Sequence, residues 1–543
     1  MLSFFDKIKV LYNENKFLTV YIYLYVIILF IISYLIPGND YDSLAINVVR
    51  HTLERFGPIQ ETATSNFNLI APTTYDYILA FFLELGHFST LPSFLLFILL
   101  LLYIIKNFET KTSKVAIIIL FSTQLVVISI DSLKNDLALG IFMFMAWAMI
   151  CRAKYNKFYF MLSLIPLCLM AGTKWFGLIM SIPFGIILLI RLFKENKYPY
   201  FDMLLALTLF PLYIYLSSAG VYFHNFIQYG TPFPVIPELQ SSYAGFKGFF
   251  RNLIDLLWFG ILDTFFLPFY LLDNYLKTNL WSFFYASAHI FPLGYSFMPS
   301  AISGVYGITM VIVVVCSIVA IFSKKEHWSI RVSGALSIIN IAIVMYSVNY
   351  SQFFARYMLS GFILGVIPAA IIISHLRIPR WISRLAITYM VIISIHALLF
   401  AHERPLIRFT YTNQNTGSSW VPMTVWARMK DPDMLYFGMW SGYWDIYKTY
   451  RSTIHKSDSL LILVGGDKGS PPFLFPFLKD RDGSNTRIVD IARGVKFPKD
   501  LSDYKYIFSY YLPIQNPDFQ PFYSYGKEVR LYKRYPLGIR LSP

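Results

Sequence analysis

About eleven apolar stretches, most of them long enough to cross a lipid bilayer as helices, constrain this chain more than any other feature. They are residues 17–37, 74–106, 115–131, 136–152, 158–173, 176–192, 201–220, 302–322, 330–349, 355–374 and 384–401. Hydrophobic residues make up 56% of the chain and charged residues only 14%, with a mean hydropathy of +0.53, which is far from the composition of a soluble protein. The sequence therefore predicts a polytopic α-helical membrane protein of about eleven transmembrane helices.

Two of the apolar regions need a more specific prediction. The stretch 74–106 is overlong for one span, and we expect it to bend near Pro92. The aromatic stretch 253–272 is interrupted by Asp255, Asp263 and Pro268, which favours interfacial helices over further spans. If it did cross the membrane twice, the count would rise to about thirteen without changing the sidedness of the rest.

The distribution of basic residues predicts the orientation in the membrane. The amino terminus carries Lys7, Lys9 and Lys16, and we expect it in the cytoplasm. Five connections rich in Lys and Arg would then all lie on the cytoplasmic side: 106–114, 152–157, 191–197, 324–331 and 377–384. Cytoplasmic loops carry such an excess, so the net charge of +15 is a topology marker and predicts no nucleic-acid partner. We expect a protein of the cytoplasmic (inner) membrane whose amino-terminal segment is retained as the first helix.

This orientation divides the chain into two predicted parts. Residues 1–402 form the membrane module, with a first outer loop at 38–73 and a long outer loop at 221–300. Residues 403–543 have the composition of a small extracytoplasmic α/β domain. Its predicted strands are 459–464, 486–491, 504–510 and 529–533, and its Gly-rich loop 465–469 is predicted to be a plain turn, because it lacks the spacing of a phosphate loop.

The first outer loop carries the strongest candidate for acid–base chemistry. Asp40 and Asp42 directly follow the first span and precede a predicted amphipathic helix, 44–56, whose polar face includes Arg50 and His51. Asp42 could instead cap that helix by accepting a backbone N–H. One aspartate can cap while the other acts as a general base, and the sequence leaves open which does which.

Three further polar clusters fall at the outer ends of predicted spans. Lys134, Asn135 and Asp136 occupy a tight turn, where they are either solvated and capping or in contact with a ligand. Lys174 stands alone between two spans, where it either snorkels to the interface or binds an anion. Arg356 and Tyr357 open a later span, and the guanidinium either anchors the helix or clamps a phosphate.

In their order and common outer-face placement, these motifs resemble the GT-C superfamily of polytopic membrane glycosyltransferases. The likeness is to the group around protein O-mannosyltransferases, lipid A aminoarabinose transferases and Rgt-like transferases. Its segments are Asp40-Tyr41-Asp42-Ser43-Leu44 with Arg50-His51, Lys134-Asn135-Asp136-Leu137, Gly172-Thr173-Lys174, the segment 225–233 that contains Tyr229, and Arg356-Tyr357. It covers the chain to about residue 401.

The resemblance implies an inverting transfer of a sugar from a polyprenyl-phosphate donor to a lipid, glycan or protein acceptor on the extracytoplasmic face. It implies that a first-loop aspartate, Asp42 before Asp40, is the general base, and that Lys174 and Arg356 contact the donor phosphate. Asp136 would position the acceptor or a metal. The chain has Asp-Tyr-Asp where the group commonly has Asp-Glu, so the base is not assigned to one residue.

A divalent metal ion stays open at this stage. Asp40, Asp42 and Asp136 could hold Mg²⁺ or Mn²⁺ through carboxylate oxygens, but nothing in their spacing requires it. The cysteines Cys151 and Cys168, like the third at position 316, lie in apolar segments and predict neither disulfides nor a zinc site.

Two other functions would also suit a polytopic membrane protein with charged outer loops. An O-antigen polymerase or ligase is also polytopic with outer arginines, but it does not predict an acidic loop after the first span. A transporter or flippase of lipid-linked sugars predicts polar groups near the middle of the bilayer and internal repeats, whereas the clusters here lie at one boundary.

Overall fold

The structure is a computed structural model. It describes residues 4–35, 74–86, 90–130, 135–152, 157–195, 199–232, 245–246, 248–250, 252–254, 256, 306–347, 354–401, 406, 411–412, 419–420, 424–426, 441–465, 477, 481, 485–490, 497–498, 500–525 and 529–535. The first outer loop and most of the long outer loop therefore lie outside the described residues.

Helices dominate the described part of residues 1–402. In chain order they are α1 (Phe4–Glu14), α2 (Lys16–Leu35), α3 (Thr74–Gly86), α4 (Leu91–Asn107), α5 (Thr110–Phe121), α6 (Gln124–Ser129), α7 (Asp136–Arg152), α8 (Lys157–Thr173), α9 (Trp175–Glu195), α10 (Pro199–Leu207), α11 (Phe210–Leu216), α12 (Ala219–Tyr229), α13 (Ile308–Phe322), α14 (Trp328–Ser347), α15 (Phe354–Tyr357), α16 (Leu359–His375) and α17 (Arg380–Phe400). Buried Leu, Ile, Val and Phe side chains from most of these helices form one continuous core.

Several described helices have the length and apolarity of membrane spans. Helices α2, α9, α14 and α17 each qualify alone, and α10 with α11 qualifies as one span bent by 69°. Shorter apolar helices coincide in sequence with other predicted spans: Leu91–Asn107, Asp136–Cys151, Phe160–Thr173, Ile308–Phe322 and Leu359–His375. A polytopic helical protein is thus supported, while the total of about eleven spans stays a prediction.

Three predicted spans are interrupted: 74–106 near Pro92, as expected, and 115–131 and 201–220, for which the expectation of a continuous helix is wrong. The stretch 74–106 divides into α3 and α4, and Pro92 lies in the first turn of α4, where its missing N–H costs nothing. The stretch 115–131 breaks after Phe121, where the Thr123 hydroxyl donates to Ile119 O at 2.8 Å. The stretch 201–220 breaks at Thr208, and Pro211 lies in the first turn of the helix that follows.

The carboxyl-terminal region forms a five-stranded mixed sheet with helix α18 (Ser441–Thr453). Its strands, after the short antiparallel pair β1 (Tyr411–Thr412) and β2 (Ser419–Trp420), are β3 (Leu460–Val464), β4 (Thr486–Asp490), β5 (Tyr506–Tyr510), β6 (Phe519–Tyr525) and β7 (Val529–Arg534). The order is β4-β3-β5-β7-β6, in which β3 is parallel to β4 and β5 while the β7 pairings are antiparallel. The four predicted strands are confirmed, β6 was missed, and the domain boundary near residue 403 stays a prediction.

Four cations, which we call the capping cations, define one end of the bundle, the basic end: Lys7, Lys111, Arg191 and Arg331. Lys7 Nζ donates to Lys106 O at 2.8 Å and to Phe108 O at 2.9 Å, where α4 ends, and Arg331 Nε donates to Ile321 O at 3.0 Å, where α13 ends. Lys111 and Arg191 reach the last carbonyls of α16 and α7 in the same way. Because the final carbonyls of a helix lack intrahelical partners and carry partial negative charge, these cations stabilise the helix ends they contact.

Candidate functional site

The opposite end of the bundle, which we call the site end, contains a buried ion pair. Lys174 Nζ contacts Asp136 Oδ1, and the side chains are only 18% and 4% exposed. Asp136 is the first residue of α7, and Lys174 is the single residue between α8 and α9. Two residues 38 positions apart in sequence are thus brought together by the packing of three helices.

Two glycines allow the chain to turn tightly around Lys174. A Cβ at Gly172 would overlap the carbonyl oxygen of Leu216, and one at Gly177 would overlap that of Met170. The Gly177 N–H donates to Lys174 O at 2.9 Å, which closes the first turn of α9. The glycines on each side of Lys174 are the sequence signal for this tight turn, but from the sequence we drew a functional prediction only for Lys174.

A network of buried hydrogen bonds fixes the last turn of α8. Thr74 and Ser218 hydroxyls lie 2.7 Å apart, and Ser218 Oγ donates to Gly172 O at 3.3 Å. Tyr222 OH donates to Ala171 O at 2.7 Å. Because all of these groups are buried, the bonds fix α3 and α12 against α8 and thereby fix the position of Lys174.

Tyr357 joins two cations in the same cluster. Its ring centroid lies 4.8 Å from Lys174 Nζ and 4.9 Å from Arg356 Cζ, and Arg356 Nη2 donates to the Tyr357 hydroxyl at 3.0 Å. Phe176 packs against the same ring with centroids 5.9 Å apart. The electron-rich face of the tyrosine therefore stabilises two like charges side by side.

Burial and the neighbouring charges set the electrostatic environment of Lys174. Burial lowers the pKa of Lys174, an effect that the charge of Asp136 opposes and the charge of Arg356 reinforces. Lys174 is paired with Asp136, whose Oδ2 is buried without a hydrogen bond to any residue in the described part of the chain. Asn135 is held nearby, since its Nδ2 donates to Thr173 O at 3.1 Å.

The structure brings together five of the predicted site residues: Asn135, Asp136, Lys174, Arg356 and Tyr357. The remaining predictions are not tested by it. Asp40, Asp42, Arg50, His51 and Lys134 lie outside the described residues, and Tyr229 is the last residue of α12.

A metal site is likewise a prediction. Among the described residues, no three His, Cys, Asp or Glu side chains come together as metal ligands. Of the three carboxylates that could hold Mg²⁺ or Mn²⁺, Asp136 is paired with Lys174 through Oδ1, and Asp40 and Asp42 fall outside the described part.

Comparison with solved structures identifies the fold. The chain is similar to ArnT from Cupriavidus metallidurans bound to undecaprenyl phosphate, with a TM-score of 0.51 and 11% identity over 95% of this chain and 98% of that one. It is also similar to the apo state of the same protein, with a TM-score of 0.42 and 12% identity over the same shares. No protein-family model and no curated protein sequence matches the chain. ArnT is a GT-C protein, so the resemblance stated from the sequence is confirmed at the level of the fold.

Proposed function

We propose that this protein is a membrane glycosyltransferase that moves a sugar from a polyprenyl-phosphate-linked donor to a lipid, glycan or protein acceptor on the extracytoplasmic face. The observation that carries the proposal is that Lys174, paired with Asp136, shares the ring of Tyr357 with Arg356, in a fold similar to that of a protein solved with bound undecaprenyl phosphate.

The two cations suit the phosphate of such a donor. An ammonium and a guanidinium in a partly desolvated site attract an anion more strongly than they would in water, because the effective dielectric constant is lower. Arg356 also offers a planar set of donors that matches phosphate oxygens. Their attraction to a leaving phosphate would grow as charge develops on it, which is how such a site accelerates bond cleavage.

The reaction we propose has one displacement step. A first-loop carboxylate, Asp42 or Asp40, takes the proton from an acceptor hydroxyl. The acceptor oxygen forms a bond to the anomeric carbon, while the bond between that carbon and the phosphate oxygen breaks with inversion of configuration. The electron pair leaves with the polyprenyl phosphate, which Lys174 and Arg356 stabilise. Asp136 holds Lys174 in place and offers its second oxygen to the acceptor.

Mass spectrometry of envelope glycolipids and glycoproteins, in cells with and without the protein, tests the proposal. We expect one sugar modification to disappear with the protein and to return with the wild-type chain. Asp42→Asn is expected to reduce transfer by a factor of about 10² to 10⁴, the usual contribution of a general base.

The two first-loop acids serve as controls for each other. Asp40→Asn removes the same charge two residues away, so unequal losses assign the base to one of them. Full transfer by both single variants would exclude a first-loop base. An unchanged glycolipid and glycoprotein profile without the protein, together with loss of lipid-linked sugar movement across the membrane, would favour a flippase instead.

A further inference from the structure

A second group of cations at the basic end differs from the capping cations. Arg377, Arg380 and Arg384 are all exposed, and none of them forms a hydrogen bond or ion pair with another residue that the structure describes. They belong to the turn between α16 and α17 and to the first turns of α17. Their charges therefore remain available to a ligand outside the chain.

Large apolar side chains alternate with these arginines. Trp381 is 67% exposed and Leu385 is 63% exposed, although both are residues that favour burial. The next residues to be buried are Ile387 and Met390, further along the same helix. The segment 376–385 thus combines exposed guanidinium groups with an aromatic and aliphatic surface at the border of the helix bundle, the composition that favours the lipid–water interface.

The local backbone adds to the positive charge of this segment. Helix α17 begins at Arg380 after an N-cap proline, Pro379, and no side chain caps its first N–H groups. A helix amino terminus carries partial positive charge, so the neighbouring arginines are placed where the helix itself disfavours cations. Asp and Glu are absent from the sequence 376–386, so the segment supplies no anion of its own. The N–H groups of Ile382 and Ser383 already donate to Pro379 O, so a bound anion would satisfy the guanidinium groups and the first N–H groups of the helix, those of Arg380 and Trp381.

We propose that segment 376–385 is a binding surface for the headgroups of acidic glycerophospholipids. Arg377, Arg380 and Arg384 contact the lipid phosphates, while Trp381 and Leu385 insert among the acyl chains just below them. A membrane lipid fits better than a soluble anion because only a lipid offers an anionic group and an apolar surface together. This surface does not depend on the proposed sugar transfer, since it lies at the opposite end of the bundle from Lys174.

Lipid binding by the purified full-length protein tests this surface. Native mass spectrometry in detergent would compare added phosphatidylglycerol with added phosphatidylcholine, for wild type and for a triple variant, Arg377→Gln, Arg380→Gln and Arg384→Gln. We expect wild type to prefer phosphatidylglycerol and the triple variant to lose about 100-fold in affinity for it, since each basic residue near an anionic membrane surface contributes a factor of about five.

Two further variants make the result specific. Lys194→Gln, Lys324→Gln and Lys325→Gln together remove the same charge from the same end, and are expected to keep most of the phosphatidylglycerol affinity. Replacing the three arginines by lysine is expected to retain binding and so shows that the chain still folds. Equal losses in the arginine and lysine triples, or no preference of wild type for phosphatidylglycerol, would overturn the proposal.

Discussion

The two ends of the helix bundle use the same kinds of residue in different ways. At the basic end, the capping cations place their donors on backbone carbonyls, as Lys7 does on Lys106 O and Phe108 O. At the site end, Lys174 and Arg356 instead share the ring of Tyr357, and Lys174 is paired with the carboxylate of Asp136. A cation bonded to the carbonyls of a helix end stabilises the fold, whereas two cations held side by side in a partly buried site attract an anion.

The largest expected effect comes from measuring which side of the membrane each end of the bundle faces. We expect cysteines introduced at Asn66 and Ser484, in a chain without its three native cysteines, to react completely with an impermeant thiol reagent from outside the cell. A cysteine at Lys325 should react only after lysis, because the Lys- and Arg-rich connections are expected in the cytoplasm. The opposite pattern would put the candidate site in the cytoplasm.

The positions of the helices were predictable from the sequence because burial in lipid requires long apolar runs. Of the breaks within them, the one near Pro92 was predictable, because proline disfavours a continuous helix, and the other two were not. Thr123 and Thr208 stand in runs that are apolar enough to span, so hydropathy alone does not reveal that the helix stops there. Such breaks depend on local hydrogen bonds and on packing against other helices.

The missed strand β6 has a different cause. Pro521 lies within it, and a proline has no backbone N–H to donate to a neighbouring strand. The structure accommodates it because β6 is an edge strand that pairs only with β7, with an irregularity between Pro521 and Tyr523. Edge position is a property of the whole sheet, so the sequence around Pro521 could not show it.

The sequence allowed us to predict which charged residues belong to the candidate site, but not which of them contact each other. Lys174, Asp136 and Arg356 stood out because charged groups at the ends of apolar runs are costly without partners. Which of them pair could not be predicted, since the contacts join residues from three separate parts of the chain. The contribution of Tyr357 as a common surface for two cations emerged only from the packed structure.

Stability measurements sharpen the distinction between the ends. Asp136→Ala leaves Lys174 buried without its carboxylate, so we expect the free energy of unfolding to fall by about 3–5 kcal/mol. The double variant Asp136→Ala with Lys174→Ala should recover part of this loss, because no unpaired charge remains there. Reversible unfolding in mixed detergent micelles would measure both; a single variant as stable as wild type would contradict a buried pair.

A half-exposed ion pair beside the carboxyl-terminal sheet is expected to contribute less to stability than the buried pair. Lys505 Nζ lies 2.8 Å from Asp458 Oδ1, and Lys505 is 52% exposed. Partial burial acts to raise the pKa of Asp458, but hydrogen bonds from Lys505 and from the His455 N–H outweigh it and hold that pKa below its ordinary value. The pair therefore stabilises the fold above the ordinary carboxyl pKa, and this stabilisation is lost as pH falls through the lowered value.

We expect Asp458→Asn to have a small effect that depends on pH. Hydrogen exchange in the β5 peptide should be slightly faster in the variant than in wild type at pH 7, after correction for intrinsic rates. The difference should shrink as pH falls through the lowered pKa of Asp458, because the wild-type carboxyl then becomes neutral as well. A difference that is larger at low pH would reverse the assigned sign.

Binding of undecaprenyl phosphate to the purified full-length protein tests the central claim most directly. Arg356→Gln and Lys174→Gln would be compared with Arg331→Gln, which removes the same charge from a capping cation at the basic end. We predict that each site-end variant loses about tenfold or more in affinity, the contribution of a charge-assisted hydrogen bond, and that Arg331→Gln binds like wild type. Equal affinities in all three variants would contradict a phosphate site at Lys174 and Arg356.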